Sequence, residues 1–292
     1  MEGLNEMGWK IVVAAVIVLA AVVIGALYFG ARRWKADVRD LRDEMDAVRL
    51  TAVAAGRYDP RALDGLPEPV RRYFRTVLQE GQPVIAGVHI EHGGTFNMGE
   101  EEEQWKPFTS TQHVVTRRPG FVWDARITMA PGMAARVRDA YVAGRGILVG
   151  KLFGLVTVVD QQNTPEMAQG ELLRFFAESA WYPTALLPSQ GIVWEAVDGT
   201  HAAAVLTDGD TTVRLEFEFD EQGLIHSIYA EARYRDVDGA QVATPWQGYF
   251  WDYARRDGML VPLEGEVGWL IDGEYRPYWR GRIEQIDYEY VP

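Results

Sequence analysis

Thr212-Val-Arg-Leu-Glu-Phe-Glu-Phe219 decides the fold. Val213, Leu215, Phe217 and Phe219 point one way, and Thr212, Arg214, Glu216 and Glu218 the other. That is the period of two of a strand with one wet face. A sheet with one solvated face is antiparallel almost without exception. Asp220-Glu-Gln-Gly223 then reads as a hairpin turn into Leu224–Arg235, LIHSIYAEARYR.

The same rhythm extends in both directions. Downstream lie QGYFWDY (247–253), EVGWLI (266–271) and a long alternating strand through Tyr290. Upstream, VIAGVHIEH (84–92), TSTQHVVTR (109–117), GFVWDARITM (120–129), AARVRDAYVAG (134–144) and ILVGKLFGLVTVVD (147–160) are strand candidates between Gly, Pro or Asp/Asn punctuation. Two helices stand among them. Leu66–Gly81 opens with Pro67 and Pro69, carries Glu68 early and ends at Gly81; Leu66, Val70, Tyr73, Phe74, Val77 and Leu78 form its apolar stripe. Met167–Ala180 carries Leu172, Leu173, Phe176 and Ala180 on one side, and Pro183 and Pro188 forbid its continuation. The count is mainly β (α+β): about ten strands in a curved antiparallel sheet or half-barrel, one covering helix and one inserted helix. Two small stacked sheets are the competing arrangement.

Ahead of this domain, Ile11–Phe29, IVVAAVIVLAAVVIGALYF, is an uncharged apolar run long enough to cross a ~30 Å hydrocarbon core. A signal peptide has a shorter apolar region and a small-residue cleavage site. Here Tyr28 and Phe29 lead into Arg32, Arg33, Trp34 and Lys35, the flank of an uncleaved, single-pass anchor. The expected layout is a tail (1–10), a transmembrane helix (11–30), a juxtamembrane helix or stalk (31–56) and a β-rich domain (57–292). In the stalk, Trp34, Val38, Leu41, Met45, Val48 and Ala52 step by alternate fours and threes. That seam suits packing on the chain's own domain or a homodimeric stalk. Arg32, Arg33, Lys35, Arg39 and Arg42 follow the helix, whereas Lys10 precedes it with Glu2 and Glu6. The positive-inside rule then points the domain to the cytoplasm.

The formal net charge of −13 argues against a nucleic-acid partner, which needs a basic footprint. With no cysteine, a lipobox and disulfides are excluded. No G-x-S-x-G, H-E-x-x-H or P-loop lysine is present, and Gly144-Arg-Gly146-Ile-Leu-Val-Gly150 lacks phosphate-loop spacing. His89-Ile-Glu91-His92 is the densest His/Glu cluster, but a strand sends His92 to the face opposite His89 and Glu91, so no metal site is expected. Glu100–Glu103 reads as a solvated hairpin tip and Asp236-Val-Asp238-Gly239 as a turn.

The inserted helix holds the best candidate. Glu171, Arg174 and Glu178 share one of its faces, next to Trp181 and Tyr182. Facing aromatics could line a cavity over this polar group, and the ligand-binding set is Trp123, Tyr141, Arg174, Glu178, Trp181, Tyr182, Trp246 and Trp269. The same aromatics could equally fill a core. An enzyme using Glu178 and Arg174 is an alternative, without a visible second catalytic partner; no catalytic residue and no cofactor is assigned.

LPEPVRRYFR, QWKPFTSTQ, PGFVWDARI, GELLRFFAESAWYPTALLPS, VWEAVDG, TPWQGYF and VPLEGEVGW together resemble a bacterial family of domains of unknown function, the DUF6544/DUF6920 type, over residues 64–290. The resemblance brings no activity or site residue. The helix-interrupted strand pattern is also similar to the half-barrels of periplasmic lipoprotein carriers, which cup acyl chains. That implies a membrane-tethered, non-catalytic domain binding a lipid or other amphipathic molecule, and it implies a domain outside the membrane, against the positive-inside count. An envelope scaffold dimerising through its stalk is the alternative.

Overall fold

A computed structural model describes residues 2–49, 56–99 and 102–291. Ala52 of the seam, together with Glu100 and Glu101 of the acidic tip, lies outside the described residues.

Thirteen strands form one open antiparallel sheet. The first arm comprises β1 (Ile85–Asn97), β2 (Trp105–Val115), β3 (Gly120–Ala130), β4 (Met133–Val142), β5 (Arg145–Leu152) and β6 (Val156–Gln162). The second comprises β7 (Val193–Ala196), β8 (His201–Asp208), β9 (Thr211–Phe219), β10 (Ile225–Val237), β11 (Ala240–Arg256), β12 (Met259–Ile271) and β13 (Glu274–Tyr290). Each arm is a meander, and the arms are joined where β1 pairs with β13, Val88 opposite Tyr288 and Ile90 opposite Ile286. β6 and β7 are the free edges. A single sheet therefore stands in place of two stacked ones.

The expected ten strands become thirteen for two reasons. The run 147–160 folds back at Phe153 and Gly154, both at positive φ, and makes two strands of one. β7 and β8 were not read as strands, because Ala202, Ala203 and Ala204 carry little strand propensity. Ala204 lies opposite Trp194 in the ladder, and the Trp194 ring packs 5.2 Å from Phe217.

β9 behaves as its alternation requires: Val213, Leu215, Phe217 and Phe219 are buried. The turn after it closes with Gly223 N–H donating to the Asp220 carbonyl. On the same concave side lie α2 (Glu68–Val77), which buries Val70, Tyr73, Phe74 and Val77, and α3 (Pro165–Ala177), which links β6 to β7. α3 is capped by the Thr164 hydroxyl, 3.2 Å from Met167 N, and short 3₁₀ turns from Glu178 to Gln190 follow it. Gly146 sits under its first turn, where a Cβ would run into the Met167 carbonyl. That glycine lets the helix rest directly on the sheet. The sheet curls enough for its arms to touch: the Tyr141 hydroxyl of β4 donates to Asp208 of β8 at 2.9 Å.

The first helix, α1 (Glu2–Ala47), runs unbroken through the apolar run and on past it. By length and composition it could cross a membrane as an anchor or serve as a signal sequence. Its second half packs on the convex face of β2–β5. Trp34, Val38 and Met45 bury against Val115, Val122, Ala140, Val142, Ile147 and Val149, with Leu41 at the margin. Trp34 Nε1 donates to Asp124 at 2.8 Å, and the Arg138 guanidinium lies over the Trp34 ring. In this chain the seam is thus occupied by its own sheet; Val48, just beyond α1, is half-buried.

Candidate functional site: an aromatic cavity with a buried ionic floor

Between α3 and the concave face lies a cavity of about 410 Å³. Aromatic rings from four strands and the segment after α3 stand in its wall: Trp123 from β3, Trp181 after α3, Trp246 and Phe250 from β11, Trp269 from β12, and Tyr278 and Trp279 from β13. The strand period explains the clustering. Trp246 and Trp269 are cross-strand partners, so their rings stand on one face of adjacent strands. Trp269 stacks on Tyr278 with centroids 5.6 Å apart. Trp181 lies 5.1 Å from His92 and 6.2 Å from Trp279.

α3 supplies the floor. Glu171, Arg174 and Glu178 project from one face, as their spacing requires, and all three line the cavity. Arg174 pairs with Asp139 of β4 and, at 2.8 Å, with Glu178. Gln112 Nε2 donates to the other Glu178 oxygen at 2.5 Å. Arg233 of β10 donates to the Gly170 carbonyl at 3.1 Å and to Tyr278 at 2.8 Å, and lies 3.3 Å from Glu171. Both guanidiniums sit on aromatic faces, Arg174 over Phe121 and Trp123 and Arg233 over Trp246 and Trp269, at 4.8–5.6 Å. Cations in such contacts keep their charge in a dry setting.

The electrostatics follow from burial. Burial opposes the charge of Arg174, but Glu178, Asp139 and Glu171 more than offset it, and its pKa is raised. Burial and the adjacent Asp139 carboxylate outweigh Arg233 at Glu171, whose pKa is raised well above its ordinary value. Two arginines, Arg174 and Arg233, thus face three acidic side chains, Asp139, Glu171 and Glu178. The indole N–H groups of Trp123 and Trp181 make no hydrogen bond within the protein. His92, beneath Trp181, is lowered to about 3 by burial and by Arg174, and is neutral.

Of the eight residues expected at the site, Trp123, Arg174, Glu178, Trp181, Trp246 and Trp269 surround this one cavity. Tyr141 and Tyr182 do not line it: Tyr141 clasps the two arms, and the Tyr182 hydroxyl donates to the Phe175 carbonyl at 2.7 Å. Arg233, Asp139 and Tyr278 were missed. Arg233 and Tyr278 stand in alternating strands where a polar residue reads as outward, and only their register against α3 brings them inside. Among the described residues no group of His, Cys, Asp and Glu could hold a metal ion. His89 and Glu91 lie together on the other face from His92, as the alternation requires.

Comparison with known proteins adds a family and two distant likenesses. A LolA superfamily protein from Nitrosomonas europaea matches with 8% identity and a TM-score of 0.33, over 77% of this chain and 93% of its own. A beta-barrel-like protein of domain of unknown function DUF1849 from Brucella abortus matches with 12% identity and a TM-score of 0.26, over 70% and 99%. No curated protein matches the sequence. Residues 64–288, the whole β domain but for its last strand residues, match DUF6920, and the chain belongs to this family of unknown function.

Proposed function

We propose that this chain is a membrane-tethered binding domain that holds a lipid or other amphipathic molecule between α3 and the concave face of its sheet. The cavity is the observation that carries the reading. Its volume of about 410 Å³ falls in the ~300–1,000 Å³ range of small-molecule sites, and such sites combine apolar walls with a few polar groups. The tryptophan and phenylalanine walls suit a hydrocarbon body. The floor suits a neutral hydrogen-bonding group, because both arginines are already matched by acidic side chains while the indole N–H donors of Trp123 and Trp181 are not engaged. α1, with its apolar run, supplies the tether.

The test is native mass spectrometry of the full chain purified in detergent, followed by organic extraction. A stoichiometric amphiphile is expected. Trp181→Ala should lose it while keeping the far-UV circular dichroism of the parent, since Trp181 borders the space with its indole N–H. Retention by the variant, or a parent free of any extractable molecule, would refute the reading.

A further inference from the structure

The apolar run of α1 ends at Phe29, and the next residue, Gly30, is the first on the helix to be buried among those with described side chains. The turn between β5 and β6 covers it. A Cβ at residue 30 would lie 2.7 Å from Leu155 Cδ2 and 3.1 Å from the Gly154 carbonyl oxygen. Glycine here lets the hairpin tip rest directly on the helix backbone. One turn later Trp34 is locked on the convex face. From Phe29 to Trp34 the helix rises only ~7.5 Å at 1.5 Å per residue. A headgroup layer is about 5–7 Å deep, half the difference between the full bilayer and its hydrocarbon core. Helix continuity therefore fixes the hairpin at the depth where the apolar run gives out.

At that depth the hairpin shows apolar side chains to the outside. Phe153, Leu155, Val156 and Val158 are 41%, 41%, 59% and 58% exposed. Val156 and Val158 sit on an edge strand and Phe153 and Leu155 in the turn that leads into it, and soluble proteins usually protect such edges with charge, bulges or cover. Contiguous exposed apolar surface marks a partner or a membrane. Arg32, Arg33 and Lys35 are exposed on the neighbouring turns of α1, as anionic headgroups would require. The same edge strand also borders the cavity through Val159 and Gln161, and Gln161 donates to Asp236, near the end of β10, at 3.0 Å across its rim.

We propose that the β5–β6 hairpin, through Phe153, Leu155, Val156 and Val158, lies in the headgroup layer of the bilayer that α1 crosses, so that the rim of the cavity at β6 opens onto lipid. The inference rests on the reading of α1 as a membrane span. It goes beyond that reading by naming the surface that meets lipid and the direction from which a ligand arrives.

The chain has no cysteine, so Val156→Cys gives one unique labelling site. The full-length variant, labelled with an environment-sensitive fluorophore, is reconstituted into vesicles of phosphatidylethanolamine and phosphatidylglycerol, with and without lipids carrying a nitroxide just below the headgroup. Val197→Cys, on the far arm and also exposed, is the control. The expected result is blue-shifted emission at position 156 with most of its intensity lost to the nitroxide lipid, and neither change at position 197. Equal, water-like emission at both sites would overturn the proposal while leaving the tether intact. A blue shift without nitroxide quenching would also overturn it, by assigning the hairpin to a second copy paired along β6. Release of the protein from vesicles by alkaline carbonate would overturn the tether and this proposal together. Amphiphile retention is a separate measurement on unlabelled protein, so an empty cavity would not alter the quenching result.

Discussion

Two buried side chains, His92 and Glu171, should give this protein opposite responses to pH. His92 is lowered to about 3 in the folded chain, from 6.5 when free. Below pH 6.5 the unfolded state takes up a proton that the folded state refuses, so stability falls as pH drops towards 3, by up to ~1.4 kcal/mol per unit. His92→Phe, which keeps a ring against Trp181, should flatten this acid limb in urea titrations at several pH values. Glu171 is raised from 4.5. Its folded form keeps a proton that the unfolded form has lost, so its contribution is complete below pH 4.5 and is lost as pH rises towards the folded value. Glu171→Gln, an uncharged isostere that still bonds Arg233, should match the parent below pH 4.5 and exceed its stability at neutral pH. An unchanged difference across the range would show that Glu171 is ionised. The sequence put Glu171 on the right face of its helix. It could not show that the carboxyl is shifted upward, because the shift comes from burial against the sheet and from Asp139 of β4.

Among the elements, α1 separates the readable from the unreadable. Its apolar run and its heptad-like seam were plain in the sequence, but not the surface the seam meets. That surface is built by Val122, Ala140 and Val142, the outward residues of strands whose inward neighbours Phe121 and Tyr141 form the main core. Strands buried on both faces lose the clean alternation that distinguishes outside from inside. Trp34 is the anchor of this contact, 1% exposed, and Trp34→Ala should cost ~3–5 kcal/mol of local stability, the usual loss for a buried aromatic. Hydrogen exchange would report it as faster exchange across residues 31–47 and the outer faces of β3 and β4, with α3 unaffected. Equal protection in both proteins would mean that the helix is held elsewhere. The antiparallel pattern, by contrast, was legible wherever one face stays wet, as in β9. It failed at β8, where alanines make room for Trp194 and carry no period of their own.

For the molecule as a whole, the order of strands is the decisive feature. Local hairpins account for every neighbour in the sheet except the β1–β13 pair. Removing residues 274–292 should therefore do more than delete an edge. It leaves β1 and β12 unpaired in the middle of the sheet and separates the walls of the cavity, since Tyr278 and Trp279 depart with β13. The shortened chain is expected to lose cooperative thermal unfolding. A single sharp transition would show that the two arms hold together without the closing pair. No sequence signal marks the closing pair, because strand periodicity gives the face of each residue and not its partner.

That closing pair also sets a clock on synthesis. The first strand to leave the ribosome waits for the last: β1 begins at Ile85, and its partner opposite is Tyr290. Until β13 has been made, β1 presents an unsatisfied row of N–H and C=O groups, already flanked by a finished meander on its other side. Nascent chains of this protein must therefore be kept from pairing with one another from the emergence of β1 until that of β13.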